Sequence, residues 1–444
     1  MLGAARRCGP DPNVKTAVVG AGWAGLAAAV AATEAGQQVT LFEAARTLGG
    51  RARTLVLDTP QGPVAVDNGQ HILIGAYTAT LGLMERLGVP PETVVRAQPL
   101  ALPFADGTGL RTPNWAARWP APLDALAAIA TTPGWGWREK VALTLASLRW
   151  QIGGFRCDPQ HTVAQLCADL PPKVFRELVE PLCVSALNTP AEQASAQVFL
   201  RVLQDALFGR GHGTWNGAAL LLPRAPLGKL LPEPTQAWLL AHGAQVFTGR
   251  RISALTAQAS GWAVDGEPFD RVLLATPPGE SARLLSPLAT QWPATGQWAE
   301  QAQALRFEAI ATVYATVRQA LPHGTAMLAL RNGPGAPAQF VFDKGQLGGP
   351  AGLLAFVVSA CGDNRERLQA EVLNQAEALG LGPLHVLQTV VEKRATFACT
   401  PGLQRPASRL APGLWAVADF VDGPYPATLE GAVRCGLAAG QRSD

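Results

Sequence analysis

The segment Gly20-Ala21-Gly22-Trp23-Ala24-Gly25 stands where a short β-branched run, Lys15 to Val19, gives way to an Ala-rich stretch. That placement constrains the fold more than any other feature of the chain. In a G-x-G-x-x-G turn between strand and helix the first glycine permits the tight turn. The second lets backbone approach a pyrophosphate, and the third lets helix and strand pack closely. The spacing predicts a helix from Ala24 to roughly Ala35, stopped by Gly36; a second apolar run, Val39 to Phe42, then delivers Glu43. Strand, turn, helix and strand within about thirty residues make a βαβ unit. The helix N-terminus faces the phosphates of a bound dinucleotide. Glu43, about twenty residues beyond the glycines, is placed to accept both ribose hydroxyls and to repel a 2′-phosphate.

Composition sets the outer limits. With 444 residues, 48% of them hydrophobic, the chain can bury a large core and suggests two or three domains. The formal net charge is only +3 and the bases form no long run, which excludes a nucleic-acid partner. Seven cysteines lie scattered, with no C-x-x-C and no His at zinc-ligand spacing, so no metal site is expected and the thiols read as reduced, in a cytoplasmic protein. Residues 1–13 carry Arg6-Arg7 followed by Cys-Gly-Pro-Asp-Pro; this is not the apolar core of a secretory signal, and a frayed leader is expected. No stretch reaches the roughly 18 apolar residues of a spanning helix. Twelve Trp among few charged residues fit a protein that handles apolar material, and leave open a peripheral position at the inner face of a membrane.

The texture of the chain divides it. Residues 14–90, 221–284 and 401–444 read as one dinucleotide-binding domain assembled from three stretches, and residues 91–220 and 285–400 as an inserted substrate domain. Val272 to Ala275 reads as a strand returning to the first domain, and Leu414 to Ala418 as a last strand ending at Asp419. Within the insert, Val141, Leu145, Leu148 and Ile152 recur at helical spacing after Trp135-Gly136-Trp137-Arg138-Glu139-Lys140. Bases beside aromatics suit a membrane-resting helix. An ordinary core helix is the first expectation, since any soluble helix shows one apolar stripe. Thr189-Pro190-Ala191-Glu192 has the composition of a helix N-terminus, and Gly209 to Gly213 reads as a turn, lacking the Lys-Ser/Thr of a phosphate loop.

A glycine pair and a base, Gly49-Gly50-Arg51-Ala52-Arg53, follow soon after the ribose acid. They offer a second grip on the pyrophosphate and favour FAD over NAD. This stretch resembles the flavin amine oxidase and phytoene desaturase superfamily. Asp67 to Tyr77, Pro181 to Cys183, Ala186 to Pro190, Leu222-Pro223-Arg224 with Leu227-Gly228, and Pro426 to Val433 extend the likeness over most of the chain. Together they resemble the squalene-associated branch, the hydroxysqualene dehydroxylases of bacterial hopanoid synthesis. The resemblance implies an α/β fold, a Rossmann-like FAD-binding domain with an inserted α+β substrate-binding domain. It also implies reductive removal of a hydroxyl from hydroxysqualene to give squalene, a long apolar isoprenoid, with neighbouring pathway enzymes as candidate contacts. By the same resemblance Gly20, Gly22, Gly25, Glu43, Gly50 and Arg51 hold the ADP half of FAD. Ile252 meets the adenine side through its backbone, Asp419 is the acid ending the last strand, and Gly69 and Gln70 line the flavin. Thr428, Leu429 and Glu430 open a closing helix whose dipole stabilises negative charge on reduced flavin. Ala418, where the family has Gly, and Gly423-Pro424, in place of a polar residue and Gly, depart from the pattern.

A leaving hydroxide has to be protonated or coordinated at neutral pH. His71, Asp67 and water are the candidates, with His71 taken as the catalytic residue; its bland alternative is a buried histidine hydrogen-bonded within the core. Two rival functions stay open. A carotenoid-type desaturase would oxidise a C–C bond where the dehydroxylase removes oxygen. A non-catalytic FAD-bound protein would hold a lipid for its neighbours. An amine oxidase is disfavoured because the apolar middle offers no aromatic cage for an amine.

Overall fold

The computed structural model describes residues 14–442 apart from 60–61, 117–118, 120–121, 319–320, 322–324 and 363; the expected leader lies outside these. Strand β1 (Lys15–Val19), helix α1 (Trp23–Glu34) and strand β2 (Gln38–Phe42) form the βαβ unit that the glycines require. β1 pairs in parallel with β2 on one side and with Arg271–Leu274 on the other. Leu414–Ala416 and Gln245–Phe247 extend the sheet in parallel, and Arg409–Ala411 closes one edge antiparallel. The inner strands are near-continuous apolar runs because a parallel sheet is covered on both faces; Ala17, Val18, Leu41, Val272 and Leu273 are fully buried.

Ten of the twelve residues of α1 are buried, more than one sheet face can cover. The other side is taken by the closing helix, Leu429–Gly440. A Cβ on Gly436 would stand 2.2 Å from the Ala24 carbonyl oxygen, and one on Gly440 would stand 2.4 Å from that of Ala28. The two helices therefore touch backbone to backbone along a seam of Ala and Gly. The register, Gly436 beside Ala24–Ala28 and Gly440 beside Ala28–Ala32, makes them parallel. It also starts the closing helix about one turn ahead of α1.

The inserted part has two textures. Residues 307–397 form a five-stranded antiparallel sheet, ordered Met327–Ala329, Phe340–Asp343, Leu353–Ser359, Phe307–Thr316, His385–Phe397. Along Leu353–Ser359 the side chains alternate between two cores. Leu354, Phe356 and Val358 pack with Leu368, Val372 and Ala376 of the helix Arg365–Ala378. Leu353, Ala355 and Val357 face the large central core shared with Val19, Phe42 and Val66. That second face turns toward the nucleotide-binding sheet. Residues 123–208 are mainly helical. The whole is an α/β, Rossmann-like architecture with an inserted α+β part.

Two local expectations are corrected. The chain does not start a helix at Thr189. Asn188 ends the preceding helix in the left-handed conformation at φ 47°, Thr189 is fully buried with its hydroxyl donating to the Leu187 carbonyl, and Ser195 is the N-cap of Ala196–Phe208. The stripe of Trp137–Ile152 is not core either. Val141, Leu145, Leu148 and Ile152 are 46–79% exposed, and Leu143 is the buried residue of that helix.

Candidate functional site

The three glycines of the first turn are glycines for different reasons. At Gly20, φ is +106° and a Cβ would meet the Ala275 carbonyl oxygen at 2.5 Å; at Gly25 a Cβ would meet the Gly20 carbonyl oxygen at 2.0 Å. The fold alone explains both. Gly22 has ordinary extended backbone, φ −71° and ψ 174°, and its Cβ would find nothing closer than the Gly50 Cα at 4.0 Å. Neither packing nor strain asks for glycine there, so the open space at the head of α1 is the feature that fits a pyrophosphate.

The second glycine pair lines the same space. Gly49 N–H donates to the Ala21 carbonyl at 2.8 Å, Gly22 and Gly49 form a parallel bridge, and Gly50 adopts φ +61° with its Cα against that of Gly22. Glu43 stands at the end of β2, where its carboxylate accepts from the N–H groups of Ala21 and Ala45. Arg250 N–H donates to the Glu43 carbonyl, and buried Ile252 follows two residues beyond Arg250. The Ile252 carbonyl accepts from Arg283 at 2.7 Å.

Arg51 reaches across this cradle. One guanidinium nitrogen donates to the Ala395 carbonyl and another to buried Asp419. Asp419 in turn receives the Ala427 N–H on its carbonyl, immediately before the closing helix. Thr428 caps that helix, its hydroxyl accepting from Gly431 N–H. The first-turn N–H groups of Leu429 and Glu430 thus lie at a helix N-terminus, where donors lack intrahelical partners. The Glu430 side chain goes elsewhere. It is fully buried and accepts from the N–H groups of Ala79 and Thr80, from the Thr80 hydroxyl and from Arg434. Its carboxylate therefore holds the start of helix α2 (Thr78–Arg86), and what it offers a cofactor is backbone alone.

Below the glycines the hairpin β3 (Thr54–Thr59) and β4 (Gly62–Asp67) ends in the segment that carries Gly69, Gln70 and His71. Asp67 is buried, and burial pushes its carboxyl up to about 6, against the opposing pull of the Leu227 N–H and of Lys344. Lys344, itself buried, donates from Nζ to Gln70 Oε1 at 3.1 Å; burial lowers its pKa, and Asp67 works against that. Tyr314 from the second sheet donates its hydroxyl to the Asp67 carbonyl at 2.8 Å, which joins the two parts of the molecule here. His71 Nδ1 sits 2.7 Å from the Gly69 carbonyl. Burial holds the ring below its usual pKa and the Arg51 charge adds to the effect, although the Gly69 bond opposes it. The neutral ring then donates from Nδ1 and presents Nε2 as an acceptor.

The structure thus brings Gly20, Gly22, Gly25, Glu43 and Gly50 together at the head of α1, ties Arg51 to Asp419 ahead of Thr428–Glu430, places Gly69, Gln70 and His71 beside Asn68, which donates to the Arg51 carbonyl, and sets Ile252 close to Glu43. Sequence reasoning missed Lys344, which comes from the second insert at the end of Phe340–Asp343. It also missed Tyr425, whose ring lies between the guanidinium groups of Arg201 and Arg434 at 5.1 and 4.9 Å, just ahead of the closing helix. A base following a strand-like run was the sole signal for the first; for the second there was none beyond its nearness to Thr428.

A family model described as flavin containing amine oxidoreductase matches residues 23–442. The chain is 30% identical over 459 aligned positions to the hydroxysqualene dehydroxylase of Rhodopseudomonas palustris, covering 95% of this chain and 96% of that one. It is 32% identical to the chloroplastic/chromoplastic zeta-carotene desaturase of Zea mays over a much shorter region, 19% of this chain and 14% of that one. Among solved structures, an oxidoreductase from Methanosarcina mazei shares the fold, with a TM-score of 0.70 at 16% identity, covering 96% of this chain and all of the other.

Proposed function

As a member of the flavin containing amine oxidoreductase family, in its hydroxysqualene dehydroxylase branch, the chain is an FAD-dependent oxidoreductase, and we propose that it converts hydroxysqualene to squalene. The observation that carries the reading is the reach of the likeness: it runs through both the nucleotide-binding and the inserted parts for the dehydroxylase, but through one short region for the desaturase.

In the proposed reaction a C–O bond breaks and a C–H bond forms at one carbon, with two electrons and two protons taken up and water released. Bound FAD, once reduced, supplies the electron pair as hydride. The pyrophosphate would lie against the open backbone at Gly22 and Gly50, with the ribose toward Glu43 and the adenine toward Ile252. Arg51, fixed by Asp419, would turn its remaining donors to the phosphates, and Leu429 and Glu430 would offer N–H groups to the pyrimidine edge. Gly69 and Gln70 line the flavin, and Lys344 orients Gln70 by donating to Oε1. The candidate proton donor to the departing hydroxide is Lys344, buried and hydrogen-bonded through Nζ to Gln70 Oε1, whose ammonium gives up a proton more readily than an unperturbed Lys because burial lowers its pKa. Neutral His71 accepts at Nε2 and so orients the hydroxyl or a water. The apolar inserted part excludes water from the developing charge.

The test is anaerobic. Protein carrying chemically reduced flavin is mixed with hydroxysqualene, while flavin absorbance and squalene mass are followed together. Reoxidation in step with squalene formation is the expected result. A flavin that stays reduced, in a protein whose oxidised form is bleached by a polyene precursor, would replace this reading with the desaturase. Inertness toward both would leave a lipid-holding flavoprotein.

A further inference from the structure

We propose that the helix Trp137–Ile152 is a bilayer-contact element, lying in the plane of an anionic lipid surface with its apolar stripe among the acyl chains. Val141, Leu145, Leu148 and Ile152 fall on one face at steps of four, three and four residues, and that face is turned outward. Trp137 at the start of the helix is 71% exposed. The helix packs on Leu123–Thr131, which exposes Leu123 and Leu126, and the turn before that helix exposes Trp115 and Trp119 with their rings 4.9 Å apart. Single exposed apolar residues need no explanation, but a contiguous group of nine does.

The chemistry of the rim chooses the occupant. Arg138, Lys140 and Arg149 stand on this helix against the single acid Glu139, a balance that suits phosphate head groups. The pair Arg149–Asp169, at 3.6 Å with both side chains mostly exposed, is too solvated to cancel that charge. A protein partner would need shape complementarity and roughly one hydrogen bond per 100–200 Å², whereas a convex ridge of Val, Leu and Ile offers aliphatic surface and few polar atoms. Acyl chains fit around such a ridge without either requirement. Trp at the boundary and bases beside it are the interfacial pattern. With 16 residues the helix is about 24 Å long, shorter than the ~30 Å hydrocarbon core. It therefore lies on the bilayer, and no helix among the described residues is long and apolar enough to cross one.

The placement links this surface to the candidate site. Phe155, just past the helix, packs against Phe208 with ring centroids 5.4 Å apart, and Phe208 ends Ala196–Phe208. Two turns back on that helix, about 10 Å, Arg201 touches Tyr425 at the mouth of the closing helix. An apolar molecule dissolved in the membrane would meet the protein one short helix away from the flavin end of the cradle. The surface itself stands whether or not the substrate is hydroxysqualene.

The experiment is flotation of the flavin-loaded full chain with vesicles of phosphatidylcholine and phosphatidylglycerol at about 7:3, a composition that supplies an anionic surface. The wild type floats with these vesicles and binds several-fold less to pure phosphatidylcholine. Leu145→Glu/Leu148→Glu lowers the bound fraction at least about tenfold, with flavin content and hydrodynamic size unchanged. Both positions are half exposed, so the variant breaks little packing. Should it nevertheless lose flavin, quenching of wild-type Trp fluorescence by brominated lipid decides: quenching supports the proposal and its absence overturns it. Absence of flotation, or equal flotation of wild type and variant, overturns it too. If the wild type stays unbound and is an oligomer that the variant splits, the face is a contact between copies and the bilayer reading falls.

Discussion

Gly22 and Gly25 lie three residues apart in one motif, yet they should fail in different ways when given a side chain. In Gly22→Val the new Cβ enters space where the nearest protein atom is the Gly50 Cα at 4.0 Å, and the backbone there suits any residue. Replacing a glycine N-cap by a non-capping residue costs the apoprotein about 1 kcal/mol or less. The cofactor fares worse, because the side chain stands where the pyrophosphate meets the helix N-terminus. Two charge-assisted bonds from backbone N–H are worth about 1.5–3 kcal/mol each, so their loss weakens FAD by roughly 10²–10⁴-fold. In Gly25→Ala the Cβ is driven to 2.0 Å from the Gly20 carbonyl oxygen and 2.8 Å from the Ala275 Cβ. α1 has to lift off the sheet, which costs about 1–3 kcal/mol or more in a packed interior. The assay pairs flavin content and FAD titration with thermal melting of flavin-stripped protein. Gly22→Val should melt close to wild type and bind no flavin at purification concentrations; Gly25→Ala should melt lower even when stripped. A stoichiometrically yellow Gly22→Val protein, or one that melts as low as Gly25→Ala, would refute the assignment of the open space to pyrophosphate.

Two other consequences can be measured. Burial raises Asp67 from 3.8 to about 6, so the stability this group contributes is complete below about pH 4 and is lost as pH rises through 6, by about 3 kcal/mol. His71, whose pKa is lowered, has the opposite sign and loses stability on acidification. The difference between Asp67→Asn and wild type therefore isolates Asp67: in denaturant titrations the variant should gain on wild type from pH 4 to 7, and parallel curves would refute the buried-acid reading. Glu430→Ala leaves the Arg434 guanidinium and the first N–H groups of α2 without their acceptor, a loss of about 3–5 kcal/mol for a buried partner. Its melting temperature should fall sharply. Glu430→Gln, which keeps one acceptor oxygen of the two and so can still serve Ala79 or Thr80, should fall less, and equal losses would argue against the capping role.

What could be read from the chain was what neighbouring residues decide among themselves. The glycine spacing, the two strands and Glu43 lie within one βαβ unit, and each needs only local geometry. Thr189 misled because Thr-Pro-Ala-Glu has capping chemistry; the competing stop at Asn188, left-handed and hydrogen-bonded to Thr396, is set from another part of the fold. The stripe of Trp137–Ile152 was visible as amphipathic, but periodicity says that a helix has an apolar face and not what lies against it. Lys344 and Gln70 are 274 residues apart, and Glu430 and Thr80 are 350 apart. No spacing rule connects such pairs, since only tertiary packing brings them together.

The seam between α1 and the closing helix has a consequence for how the protein is made. Gln37, just beyond α1, reaches the Gly440 carbonyl across 403 positions of sequence, so the innermost helix of the nucleotide-binding sheet keeps one side bare until Leu429–Gly440 has left the ribosome. During that interval a run of alanines and a finished phosphate turn wait beside an incomplete core, the kind of exposed apolar surface that invites chaperones and aggregation. Closure over so long a loop is slow. Flavin supply during synthesis should accordingly govern yield more than flavin added afterwards, because the same late event that covers α1 also brings the second half of the cofactor site into place.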